Sequence, residues 1–204
     1  SDVCSSDLGS VDGSTGLTTF IGSGSGQFRY NSDESTTNYA LSLSSDKQYA
    51  IYRERPTLTV TASAQSLAYG TAISQNFTVS GKNGDTSAQA FSANPTVGVS
   101  TSFKYPVGSH TLTPSGGTEQ LGYTVSYATG TLTVAAKTVT IGGSFTANDK
   151  VYDGTTVATM LVNSLSLVGV ETGDSVTLTP VLAFATKDAA GSKSVSLTAS
   201  TSIG

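Results

Sequence analysis

The chain has 204 residues, 12% of them charged, 8% aromatic and 37% hydrophobic, with a net charge of −4. Roughly a third of it is Ser or Thr, and 22 Gly add to that. Ten scattered Lys and Arg form no basic stripe, which argues against nucleic acid as a partner, and no apolar run reaches the roughly 18 residues of a membrane-spanning helix. With His110 as the single His and Cys4 as the single Cys, a His-based triad is hard to build and a multi-His metal site is impossible. Neither an enzyme nor a cofactor is expected.

In chain order, residues 1–8 read SDVCSSDL and resemble one translated frame of a common sequencing adapter. On that reading the native protein has no cysteine, and the chain is an internal fragment of something longer. Residues 9–55 differ in texture from the rest of the chain. The stretch Gly22-Ser23-Gly24-Ser25-Gly26 reads as flexible, followed by a strand-like run at Gln27-Phe28-Arg29-Tyr30 and another at Gln48-Tyr49-Ala50-Ile51-Tyr52. This region is expected to be a junction packing onto the next module.

From Pro56 onward, apolar residues alternate with Thr or Ser at period two. Leu58 and Val60 stand between threonines, as do Leu132 and Val134, and the pattern returns at Val139 and Ile141, Val176 and Leu178, and Val195 and Leu197. One face then enters a core while hydroxyls line the other, as in half-buried antiparallel strands. Turn signals separate the runs, among them Asn83-Gly84, Asp153-Gly154 and Gly173-Asp174. The expectation is an all-β chain of tandem small antiparallel modules, each a β-sandwich or a β-grasp-like sheet. A short helical turn within 63–74 and a closing hairpin between runs 123–127 and 131–134 complete the reading of the first module.

The chain repeats itself. Tyr69-Gly70-Thr71 returns at Tyr152-Asp153-Gly154-Thr155, and Val79-Ser80-Gly81 with Asp85 returns at Leu167-Val168-Gly169 with Asp174. Gly108-Ser109 returns at Gly191-Ser192; Tyr152 and Gly191 each stand 83 residues after their counterparts. The repeat defines two related modules, at 56–135 and 136–204. The second is expected to lack its last strands and to leave an open strand edge.

These residues carry a likeness. LTVTASAQSLAYGTA, FTVSGKNGDT and GYTVSYATGTLTV resemble the MBG domain of the YGX type, while FTANDKVYDGTT, LVGVETGDSVTL and FATKDAAGSKSVSL are similar to the YDG domain. The resemblance implies the large secreted adhesins of the filamentous haemagglutinin type from Gram-negative bacteria. It implies repeated β modules after a β-solenoid, an extracellular or cell-surface location, no catalytic residues, and neighbouring β domains of the same chain as partners. The function expected is a non-enzymatic spacer or stalk. The alternative is a carbohydrate-binding module for host or biofilm polysaccharide.

Candidate sites are few. Tyr69, Gly70, Asp149, Tyr152, Asp153 and Gly154 form the repeated motif; both tyrosines are expected in the core, and both Asp residues in a tight turn with Gly154 at positive φ. Asn148, Asp149 and Asp153 also offer oxygens to calcium, though without the spacing of a calcium loop. Tyr105, Tyr123 and Tyr127, with Phe103, are the candidate sugar-stacking rings. Tyr123 and Tyr127 share one strand face by parity.

Overall fold

A computed structural model describes residues 5–14, 16–33, 35–99 and 104–203, and it is nearly all β. The chain divides into two compact units, Ser1–Ala136 and Lys137–Gly204.

In the first unit, strand Thr57–Ala62 buries Leu58, Val60 and Ala62 and leaves the threonines outside, as the alternation predicts. It pairs antiparallel with Phe77–Ser80 on one side and parallel with Thr124–Ala128 on the other. The same chain then bends and continues as Gln65–Ala68, which pairs parallel with Gly130–Ala135. The register is constant across the bend: Thr57 faces Thr124, and Gln65 faces Leu132. Gly130–Ala135 also pairs antiparallel with Gly108–Ser115, whose other edge takes Thr96–Gly98.

Two expectations are corrected here. Runs 123–127 and 131–134 form no hairpin; they are successive segments of one chain direction, each laid parallel to a segment of the opening strand. Segment 63–74 contains the strand Gln65–Ala68 in place of a helical turn, because its backbone is claimed by Gly130–Ala135. The described helices are short and lie elsewhere, at Leu17–Ile21 and Ser87–Ala90. The second begins with a capping box in which Thr86 and Gln89 satisfy each other's backbone N–H.

Among the described residues, the first unit has two buried clusters. One gathers Ala62, Val97, Leu112, Leu132 and Val134 between the strands just described. The other joins Leu58, Val60, Leu121 and Tyr123 to Phe28, Tyr30, Ala50 and Tyr52 from the preceding region. Segment 9–55 thus shares a core with the module. Its strand Tyr49–Tyr52 is buried at all four positions and pairs parallel with both Phe28–Arg29 and Ser5–Leu8. Each fully buried Leu, Val or Phe contributes about 1.5–3 kcal/mol. Gly122 marks the contact between segment and module: at φ 102°, a Cβ there would lie 1.9 Å from the Tyr30 carbonyl oxygen.

The second unit is a bent antiparallel ladder of Thr140–Gly142 and Phe145–Ala147 against Ser166–Val168 and Met160–Asn163. A long hairpin, Val176–Phe184 with Val195–Ile203, stands beside Val157–Ala158. Among the described residues its buried apolar side chains are Ala158 and Leu182.

Candidate functional site

The repeated motif of the second unit is a tight loop built around Lys150. Its ammonium donates to Thr155 Oγ1 at 2.7 Å and to the Val157 carbonyl at 2.9 Å, and it pairs with Asp153 Oδ1 at 2.8 Å. Asp153 Oδ1 also accepts the Thr155 backbone N–H at 2.9 Å, which closes an Asx turn, with Gly154 at φ 75°. The Lys150 contact, then the Thr155 N–H, hold the Asp153 carboxyl down to about 2. Asn148 donates through its side chain to Thr159 Oγ1 at 3.0 Å, and Asp149 is exposed. The described residues contain no group of three His, Cys, Asp or Glu placed to hold a metal ion. Asp153 spends its oxygens on Lys150 and Thr155.

Tyr152 departs from the expectation of a core ring. It is 65% exposed, beside Val151 at 90%. Its counterpart Tyr69 is half-buried, packs on the cluster around Leu132, and has the Lys104 ammonium 5.8 Å from its ring centre. The Tyr69 backbone N–H donates to the Ala135 carbonyl at 2.8 Å, so the end of the closing strand holds this residue in place. Gly70 then turns the chain at φ 85°.

A cavity of about 750 Å³ lies between the Lys150 loop and segment 186–193 of the second unit, with Phe145 and Phe184 among its lining. Lys193 donates to the Thr186 carbonyl at 2.6 Å and to that of Asp188, tying the second wall together.

The candidate sugar-stacking rings do not share a surface. Tyr123 is buried at 2% exposure in the cluster with Tyr30 and Tyr52, while Tyr105 packs against the other cluster. Tyr127 is exposed and donates its hydroxyl to the Gly116 carbonyl. The parity of Tyr123 and Tyr127 is correct, but their strand leaves the core along its length. Phe103 lies outside the described residues. His110 Nε2 stands 2.6 Å from the Pro106 carbonyl oxygen, a local backbone contact.

Sequence reasoning missed a buried polar cluster. Asp85 Oδ2 accepts hydrogen bonds from the Tyr123 hydroxyl at 2.7 Å and the Tyr30 hydroxyl at 2.8 Å, and Asn83 Nδ2 donates to the Tyr30 hydroxyl at 3.0 Å. The Tyr30 ring stacks on Tyr52 at 5.6 Å and tilts against Tyr123 at 4.3 Å. Burial pushes the Asp85 carboxyl above its ordinary value, against the opposing pull of both hydroxyls and Arg29. Burial, reinforced by Asp85, likewise raises both tyrosines. Arg29, itself 2% exposed, donates to the carbonyls of Leu41, Gly26 and Phe28 and lies 4.9 Å from the Tyr49 ring centre. Because Tyr30 belongs to segment 9–55 while Asn83, Asp85 and Tyr123 belong to the module, the cluster acts as a clamp between them. The recurrence of Asp85 as Asp174 was its one visible trace in the sequence.

No curated protein and no solved structure matches the chain. No helix among the described residues is long and apolar enough to cross a membrane. Family comparison does match both modules, and the families concerned are non-catalytic and occur in adhesin-like surface proteins. Residues 58–133 form an MBG domain of the YGX type, and residues 135–204 form a YDG domain directly after it.

Proposed function

We propose that the chain is a non-enzymatic, tension-bearing spacer of a large secreted, surface-displayed bacterial adhesin. The observation that carries this is the pairing of the first module's ends. Its opening strand, Thr57–Ala62 with Gln65–Ala68, lies parallel to its closing strand, Thr124–Ala128 with Gly130–Ala135. Pulling the module at its two ends slides these strands past each other. The whole ladder of hydrogen bonds is then loaded together, whereas an antiparallel terminal pair would open one bond at a time. A spacer under flow needs slow forced unfolding, which depends on the unfolding barrier.

The tandem of two non-catalytic β families supports the same reading, as does the weakly acidic Ser/Thr-rich composition, which keeps such a chain soluble. The alternative carbohydrate reading draws less support, because Tyr123 is buried and does not share a surface with Tyr127.

Single-molecule force spectroscopy tests the proposal. Handles at Arg55→Cys and Lys137→Cys, in a Cys4→Ser background, pull across the first module. A single cooperative rupture is expected, at a force well above that obtained when handles at Thr59 and Ser80, which face each other at one end of their antiparallel pair, peel it open. Equal forces in the two geometries would overturn the reading.

A further inference from the structure

Several strand pairings of the two units can be matched to one another. Val60 faces Val79 in the first unit and Ile141 faces Leu167 in the second, and each partner strand reaches a glycine two residues later, Gly81 or Gly169. Val97 faces Pro114 and Leu182 faces Leu197; the later members are again 83 residues apart, and Val97 and Leu182 are both buried. Every strand position that flanks Gly130–Ala135 in the first unit therefore has a counterpart in the second. Gln65–Ala68 corresponds to 148–151, and the first half of Gly108–Ser115 corresponds to 191–195.

In the first unit those two flanks are strands because Gly130–Ala135 lies between them, parallel to one and antiparallel to the other. In the second unit neither 148–151 nor 191–194 is a strand, and the long strand starts only at Val195. Between these flanks is the cavity of about 750 Å³, walled by Asn148 to Tyr152 on one side and by Gly191 to Lys193 and Val195 on the other. The consequences of the gap are visible in the core. Leu132 and Val134 are buried in the first unit, whereas the second unit leaves Ile141, Val151, Leu161 and Val168 exposed.

From this correspondence we infer that the cavity is a strand-acceptor slot. Its occupant is an uncharged extended segment that alternates threonine with aliphatic residues, as Gly130–Ala135 does. It enters parallel to 148–151 and antiparallel to 191–195, and two aliphatic side chains, one residue apart, point toward Phe145 and Phe184. Backbone hydrogen bonds to both flanks supply the attachment, and the alternation sets the register, since a one-residue slip turns the threonines inward. Filling the slot draws Tyr152 inward as the Ala135 carbonyl holds Tyr69, and it gives the second unit the same parallel terminal pair as the first. The inference stands independently of the spacer reading, because it rests on pairing geometry alone.

The test uses the full 204-residue chain with a synthetic peptide of the sequence of residues 122–135, a scrambled peptide of the same composition, and a second chain carrying that segment after Gly204 on a Gly/Ser linker. Tethering raises the local concentration to about millimolar. Hydrogen exchange is read at 148–151 and 191–194. The tethered segment is expected to slow exchange there at least about tenfold, and the free peptide to do so in a saturable way, through loss of local opening. The scrambled peptide should leave these amides unchanged. Unprotected amides with the tethered segment would overturn the inference, as would equal protection by the scrambled peptide. Protection that appears without peptide and tracks dimer formation in sedimentation would assign the slot to a second copy and overturn it too.

Discussion

Tyr123→Phe removes one hydroxyl from the Asp85 cluster and leaves the ring in place. The lost oxygen donates to Asp85 Oδ2 at 2.7 Å and accepts the Lys82 backbone N–H at 3.0 Å. A hydrogen bond to a carboxylate contributes about 1.5–3 kcal/mol and a neutral one about 1 kcal/mol, while the retained ring adds no cavity. Asp85 keeps its Tyr30 bond, so part of the loss is recovered. The expected destabilisation is about 2–3 kcal/mol, with the first unit melting on the order of 10 °C lower. Urea unfolding followed by tyrosine fluorescence reads this directly in a chain without Trp. Tyr127→Phe is the control: its hydroxyl serves a surface contact, and a change within about 0.5 kcal/mol is expected. Equal small losses in both variants would refute the clamp, because they would mean the buried hydroxyl is no better used than the exposed one.

Asp85 also makes stability depend on pH. Its folded-state value is raised by burial, so the stability linked to its proton is full below the ordinary 3.8 and is lost as pH rises through the folded value. Asp85→Asn should flatten the urea midpoint over that window, and parallel profiles for the two chains would sink the assignment. Asp153 has the opposite sign: its contribution is present above 3.8 and lost as pH falls through about 2. Carboxyl carbon NMR should place its titration near that lower value, and Lys150→Met should return it toward the ordinary range; an unmoved titration would show that Lys150 is not the cause. Gly122→Ala should loosen segment 9–55 from the module, because the new Cβ would sit 1.9 Å from the Tyr30 carbonyl oxygen. The expected loss is about 2 kcal/mol or more, with faster exchange at the Tyr30 amide; a neutral substitution would remove Gly122 from the contact.

Which face of the first unit's opening and closing strands is buried was legible from the sequence alone. Leu58 and Val60, Leu112, and Leu132 and Val134 all point inward as their alternation with threonine requires, because a strand's side chains alternate whatever it pairs with. The Asx turn at Asp153 was legible because it depends on residues near one another in the chain, and the tandem modules because the same motifs return 83 residues later. Direction of pairing was not. Runs 123–127 and 131–134 look like hairpin arms, yet each lies parallel to a partner 67 positions earlier, and only the folded chain brings that partner alongside. The clamp was equally hidden, since Asp85 meets Tyr30 and Tyr123 from 55 and 38 residues away. Tyr69 and Tyr152 occupy matching places in one motif, but the first is packed and the second exposed. A local motif sets the turn a side chain sits on; burial is set by whichever strand arrives next to it.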